Sequence, residues 1–269
     1  MKSMTLRNIP VLDYATTEAI NTLASNVIFS GTQYKSIMMT SCDANEGKSF
    51  ICFQLAERLA FLGYSVIMVD ADLRKSVFLS RYDVACKDPV LGLTHFLAGR
   101  CAMEQIEYAT NIPNLYVVPS GKEVINSLPL LTSARFASLM KDLGRRYNFV
   151  LVDAPPVGLI VDAAMIANVC DGTLFTVTNE RISRRELKSA IRQIQNSGCA
   201  VLGIILNKVV METHKSRKYY YKSYYSHYSS EEYVSKDKKP TAQSPKRLSH
   251  REGASHASAA AEKQKAGED

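Results

Sequence analysis

Between residues 36 and 207 the chain switches repeatedly between two hydrophobic periods, and that alternation limits the fold more than any other feature of its 269 residues. "SIMMT", "SVIMVDAD", "NLYVVPSG", "NFVLVDAPP", "GTLFTVT" and "AVLGIILNK" are short apolar runs bounded by turn or polar residues. Each has the brevity and branched or apolar character of a buried strand. Between them, "KSFICFQLAERLAFLG", "SARFASLMKDLGRRY" and "RRELKSAIRQIQNSG" place apolar residues three and four apart, and two of them close on a glycine near the expected C-terminal position. Strands alternating with helices predict an α/β fold: a mostly parallel sheet, helices on both faces, and right-handed crossovers.

The same pattern sets the boundaries. Residues 1–35 read as an N-terminal extension with one helix, "TTEAINTLASNVIF", and the α/β domain is expected over 36–210. A tyrosine-rich segment follows at 211–235, then 236–269, "KDKKPTAQSPKRLSHREGASHASAAAEKQKAGED", which is nearly free of large apolar residues and is expected to be disordered. Tyr219, Tyr220, Tyr221, Tyr224, Tyr225, Tyr228 and Tyr233 are half of the chain's 14 tyrosines. They follow no steady helix or strand period, so no core can use their rings. Most of the net charge of +7 also belongs here: residues 208–269 hold thirteen Lys/Arg against eight Asp/Glu. A basic segment favours anionic partners or simply stays solvated.

The six cysteines are scattered, without a CxxC pair or zinc-like spacing, as in a reduced cytosolic protein. No signal-peptide pattern opens the chain, and its apolar runs fall far short of the roughly 20 residues of a spanning helix.

Three strand ends carry the chemistry. The first strand runs into "TSCDANEGKSF", a Walker A-like loop opening a helix. Phosphate oxygens need backbone N–H groups converging at a helix start, a lysine for the β/γ-phosphates and a hydroxyl for Mg²⁺. Gly47, Lys48 and Ser49 fit those needs, with Asn45, Glu46 and Phe50 beside them. The first glycine of the usual pattern is Cys42, and Asn45 sits where a tight turn favours positive φ. "VIMVDADLR" ends the next strand with Asp70, Asp72 and Arg74, and "FVLVDAPP" ends a later one with Asp153. Ligands of open parallel sheets bind beyond these carboxyl ends. Three carboxylates around a GKS loop point to an NTP–Mg²⁺ site. Asn207 and Lys208, after the last strand, suit either an adenine contact or a strand-ending turn.

"SCDANEGKS", "VIMVDADLR" and "VLVDAPP" resemble the Walker A, A′ and B motifs of the bacterial tyrosine kinases. These are P-loop NTPase-type enzymes that autophosphorylate a C-terminal tyrosine cluster and govern capsule or exopolysaccharide production. The likeness extends through "GLTHFLAG", "NLYVVPSG" and "FASLMKDLGRRYNFVLVDAPPVGLIVDA", over roughly residues 10–233. It implies ATP and Mg²⁺ as cofactors. Lys48 would neutralise the phosphates, Ser49, Asp70 and Asp153 would hold the metal, and Asp72 would activate the acceptor. Arg74 is assigned more loosely to the phosphates, and the seven clustered tyrosines become the phosphoacceptors. It also implies self-association, a cognate tyrosine phosphatase and a separate transmembrane adaptor of the polysaccharide co-polymerase type. That adaptor would bring a cytoplasmic kinase to the inner face of the plasma membrane.

The chain departs from that family in two places. The family's N-terminal helix often follows a Glu with arginines at three-residue spacing to join a ring; here Glu18 is followed by Asn21 and Ala24, so a ring is not assured. The loop "KEVINSLPLL" keeps Asn126 but little else of the family's proline-rich form. The nearest rival is a MinD/ParA-type ATPase switch, which carries a lysine early in the loop where this chain has Asp43. A nucleic-acid binder would leave the nucleotide site unexplained, and no nucleic-acid partner is expected.

Overall fold

The computed structural model describes residues 2–158, 161–178 and 182–209. Its strands are β1 Lys2–Ser3, β2 Thr5–Leu6, β3 Ser36–Ser41, β4 Val66–Asp70, β5 Val84–Ala85, β6 Tyr108–Ala109, β7 Leu115–Val118, β8 Phe149–Asp153, β9 Gly172–Thr178 and β10 Ala200–Asn207. The helices are α1 Tyr14–Phe29, α2 Lys48–Phe61, α3 Phe78–Arg81, α4 Leu93–Leu97, α5 Leu128–Leu131, α6 Ala134–Arg146, α7 Asp162–Ala167 and α8 Arg184–Gln195.

All six apolar runs form strands of one eight-stranded sheet, in the order β1-β6-β7-β4-β8-β3-β9-β10. Every neighbouring pair is parallel except β6–β7. The first residues are more than a helical extension. β1 pairs with β6 at the sheet's edge, and β2 pairs with β5 in a small separate sheet. Two-residue strands show no alternation, so pairing partners rather than local pattern create them.

Strand side chains point alternately to the two faces, and the core divides accordingly. Ile37, Met39, Val66 and Met68 pack with Ile20, Ala24 and Val27 of α1 and Phe53 and Leu59 of α2. Met38, Ile67, Val69 and Val152 pack on the other face with Phe136 and Leu139 of α6, Ile166 of α7 and Ile194 of α8. Side-chain caps fix the helix starts: Asp13 accepts from the Thr16 N–H at 2.7 Å, and Ser183 and Glu186 form a reciprocal box at α8. Gly63 and Gly198 follow α2 and α8 at φ 92° and 82°, left-handed stops that favour glycine. Ala24 is fully buried in α1, while Asn21 donates to Glu18 at 2.8 Å. The tyrosine cluster and the tail after it lie outside the described residues.

Candidate active site

The phosphate loop is built at the carboxyl end of β3, between Ser41 and the start of α2. Gly47 caps α2 at φ 91°, and a Cβ there would collide with the Asn207 amide, so the position needs glycine twice over. Asn45 adopts φ 62°, the left-handed turn its side chain tolerates. Glu46 is fully buried and points inward: its carboxylate accepts from the Asp43 N–H at 2.8 Å and from the Thr178 N–H, at the end of β9, at 2.9 Å. Asn207 Nδ2 donates to the Glu46 carbonyl at 2.8 Å, and Lys208 Nζ donates to the Asn45 carbonyl at 2.7 Å. The ends of β9 and β10 thus hold the loop's shape, leaving the N–H groups at the start of α2 as its anion-binding element.

The acidic residues arrive through strand register. Asp70 and Asp153 are direct partners across β4 and β8, so both carboxylates leave the sheet at one level. Asp72 follows two residues beyond Asp70. Lys48 Nζ lies 3.3 Å from Asp72 Oδ2, 3.5 Å from Asp153 Oδ1 and 3.2 Å from Ser49 Oγ. Asp70 accepts from the Ser76 hydroxyl and, at 3.3 Å, from the Asp72 N–H.

Three buried carboxylates surround one lysine, and the acidity of Asp70 and Asp153 reflects their burial. Burial, and then the charge of Asp153, push the Asp70 carboxyl up to about 7. Burial also raises Asp153, against the pull of Lys48. Burial works against the charge on Lys48, but Asp153 and Asp72 outweigh it and hold the ammonium above its ordinary value. The cluster therefore has an excess of negative charge that a divalent cation would relieve. Among the described residues, no three His, Cys, Asp or Glu side chains form a closed metal cage. Two carboxylates and the Ser49 hydroxyl instead fit a hard cation that keeps waters and phosphate oxygens as ligands, as Mg²⁺ does.

The remaining expected site residues take other places. Arg74 does not turn to the loop: its guanidinium bonds to Asp162 at 2.9 Å, Ser127 at 3.0 Å and the Ile125 carbonyl at 2.9 Å, bracing the 123–127 loop and α7 against the segment after β4 that carries Asp72. Asn207 contacts the loop backbone, and the Phe50 side chain packs beside the α1/α2 core. Thr178, Ser76, Asp162 and Ser127 were not anticipated. All lie far in sequence from the motifs they serve or lack any motif of their own; an acidic residue in the first turn of α7 is the one faint signal for Asp162.

A strand-loop-helix phosphate cradle beside two strand-end carboxylates defines a P-loop nucleotide-binding protein, and a family model described as an AAA domain matches residues 34–200. Tyrosine-protein kinase CpsD of Streptococcus agalactiae serotype III is 39% identical over 194 residues, covering 72% of this chain and 83% of that protein. Its namesake in Streptococcus pneumoniae serotype 4 is 32% identical over 198 residues, 74% and 86% of the two chains. The kinase domain of Escherichia coli tyrosine kinase ETK superposes with a TM-score of 0.71 at 25% identity, over 77% of this chain and 83% of that one. The MinD ATPase of Pyrococcus furiosus shares the fold, at a TM-score of 0.54 and 23% identity over 70% of this chain and 79% of its own. This chain belongs to the bacterial tyrosine-kinase family.

Proposed function

We propose that this protein is an ATP- and Mg²⁺-dependent tyrosine kinase that phosphorylates its own tyrosine cluster, Tyr219–Tyr233. In this reading it regulates capsular or exopolysaccharide synthesis together with a transmembrane adaptor. The observation that carries the reading is the Lys48–Asp72–Asp153 constellation beside the braced phosphate loop, in a chain that also holds clustered acceptors.

Phosphoryl transfer is mainly positioning and charge neutralisation. Lys48 would exchange its carboxylate partners for β- and γ-phosphate oxygens, and the N–H groups at the start of α2 would cradle the β-phosphate. Ser49, Asp70 and Asp153 would hold Mg²⁺, which supplies charge neutralisation on the phosphates. A tyrosine phenol, protonated at neutral pH, would lose its proton to Asp72 as its oxygen bonds to the γ-phosphorus. The bond from that phosphorus to the β-γ bridging oxygen breaks, ADP departs, and the phosphate stays on the tyrosine. The tyrosine-rich arm of the sequence, residues 211–235, would supply the acceptor, from the same chain or from a neighbour. Each phosphate adds roughly −1.5 to −2 charges, so a few would cancel the arm's basic surplus and release contacts that depend on it.

The test is peptide mass mapping of the full chain after incubation with Mg-ATP, with and without the adaptor's cytoplasmic segment, beside Lys48→Met and Asp72→Asn. Phosphate on Tyr219–Tyr233 in the parent alone is expected. Equal labelling of the two variants would remove Lys48 and Asp72 from the mechanism.

A further inference from the structure

The two helical layers of the sheet differ in charge. On one, α1 has no Lys or Arg at all. On the other, α6 and α8 together carry eight Lys/Arg against two acidic residues, Asp142 and Glu186. Two of these cations are engaged internally: Arg146 grips Glu107 and Asp142, and Arg135 donates to the Phe96 carbonyl at 3.1 Å. The other six, Lys141 and Arg145 of α6 and Arg184, Arg185, Lys188 and Arg192 of α8, are exposed. None forms an ion pair with a described residue. Arg184, Lys188 and Arg192 repeat every fourth residue, one line about 12 Å long on the outer face of α8.

We propose that this face docks directly on an anionic phospholipid bilayer. A line of two guanidinium groups and one ammonium suits phosphate oxygens, and each guanidinium can bind two of them at once. The cations spread over two helices of one layer, as a broad surface requires, rather than lining a groove. Neither α6 nor α8 exposes an aromatic ring on which a nucleic-acid base could stack, and neither is shaped as a projecting reader of a groove. Lys48 and the acidic cluster sit at the carboxyl edge of the sheet, and the line from Arg184 to Arg192 leads away from that edge along α8. The inference does not depend on the kinase reading: a catalytically silent chain would bind lipid equally well.

The experiment is co-sedimentation of the full chain with phosphatidylcholine vesicles, with and without about one-third phosphatidylglycerol, at low and high salt. The parent is expected on the anionic vesicles only, with binding falling as salt rises. Each cation near such a surface is worth roughly fivefold in partitioning. The variant R184Q/R185Q/K188Q/R192Q is therefore expected to lose at least tenfold at an unchanged melting temperature. A second variant, K141E/R145E, is likewise expected to lose at least tenfold, which keeps the idea open to refutation if the first does not fold. The control K236Q/K238Q/K239Q, in the basic C-terminal segment, is expected to bind within twofold of the parent. Equal binding by the parent and the α8 variant, or by neutral and anionic vesicles, would overturn the proposal. So would a control that loses as much as the α8 variant, or capture by duplex DNA in preference to anionic vesicles at the same salt.

Discussion

Replacing Asp70 with Asn is expected to stabilise the metal-free protein at neutral pH while abolishing phosphoryl transfer. The Asp70 carboxyl is buried and held at about 7, against 3.8 for the free group. Its ionisation above pH 7 thus costs folding stability on the order of 4 kcal/mol. Asn carries no such charge but offers one acceptor oxygen where Asp70 serves both the Ser76 hydroxyl and the Asp72 N–H. Losing one of those bonds returns about 1 kcal/mol, for a net gain of roughly 2–3 kcal/mol. For a domain of this size that raises the melting temperature by about 4–12 °C. The sign follows from proton linkage. A carboxyl with a raised folded-state pKa binds protons more tightly when folded, so its benefit is present at acid pH and is lost as pH rises from 3.8 towards 7. Melting curves of parent and D70N in EDTA are therefore expected to converge near pH 4 and separate by pH 8. A constant offset across that range, or a variant less stable at pH 8 than the parent, would mean that burial does not raise the Asp70 carboxyl. With Mg-ATP the order reverses, because only the parent gains from metal binding, and autophosphorylation by D70N is expected to fall at least hundredfold.

Other expected outcomes follow from the same geometry. Glu46→Gln turns one acceptor of the buried carboxylate into a donor, leaving the Asp43 or Thr178 N–H unpaired; at about 1–3 kcal/mol, nucleotide affinity by calorimetry is expected to drop at least fivefold. Arg146→Ala strands the buried Glu107 carboxylate; because Arg146 is 37% exposed, the expected loss by urea unfolding is about 2–4 kcal/mol, largely recovered by adding Glu107→Gln. Burial pushes the Cys42 thiol up to about 11, so iodoacetamide at pH 8 is expected to spare it in the folded protein and modify it after unfolding.

The long elements were legible because each carries its own period: "FVLVD" could be little but a buried strand, and "RRELKSAIRQIQ" little but an amphipathic helix. β1, β2, β5 and β6 have two residues each and exist only where a partner strand happens to pass. The antiparallel β6–β7 pair was invisible for the same reason. At the site, Lys48, Asp70, Asp72 and Asp153 were readable because strand ends and a GKS loop must converge at one edge. The role of Glu46 was not: placed among the nucleotide contacts by its neighbours, it turns inward to serve two backbone N–H groups. Arg74 illustrates the same limit, since its partners Asp162 and Ser127 stand 88 and 53 residues away in the chain.

The γ-phosphate is expected to go to tyrosine rather than to water. The most direct measurement is its partition in one reaction: γ-labelled ATP and Mg²⁺ with the full chain and its adaptor segment, counting label on Tyr219–Tyr233 against label released as inorganic phosphate. Label accumulating on the cluster, absent in Lys48→Met, is the expected result. Steady release of inorganic phosphate with an unlabelled cluster would identify an ATPase switch instead.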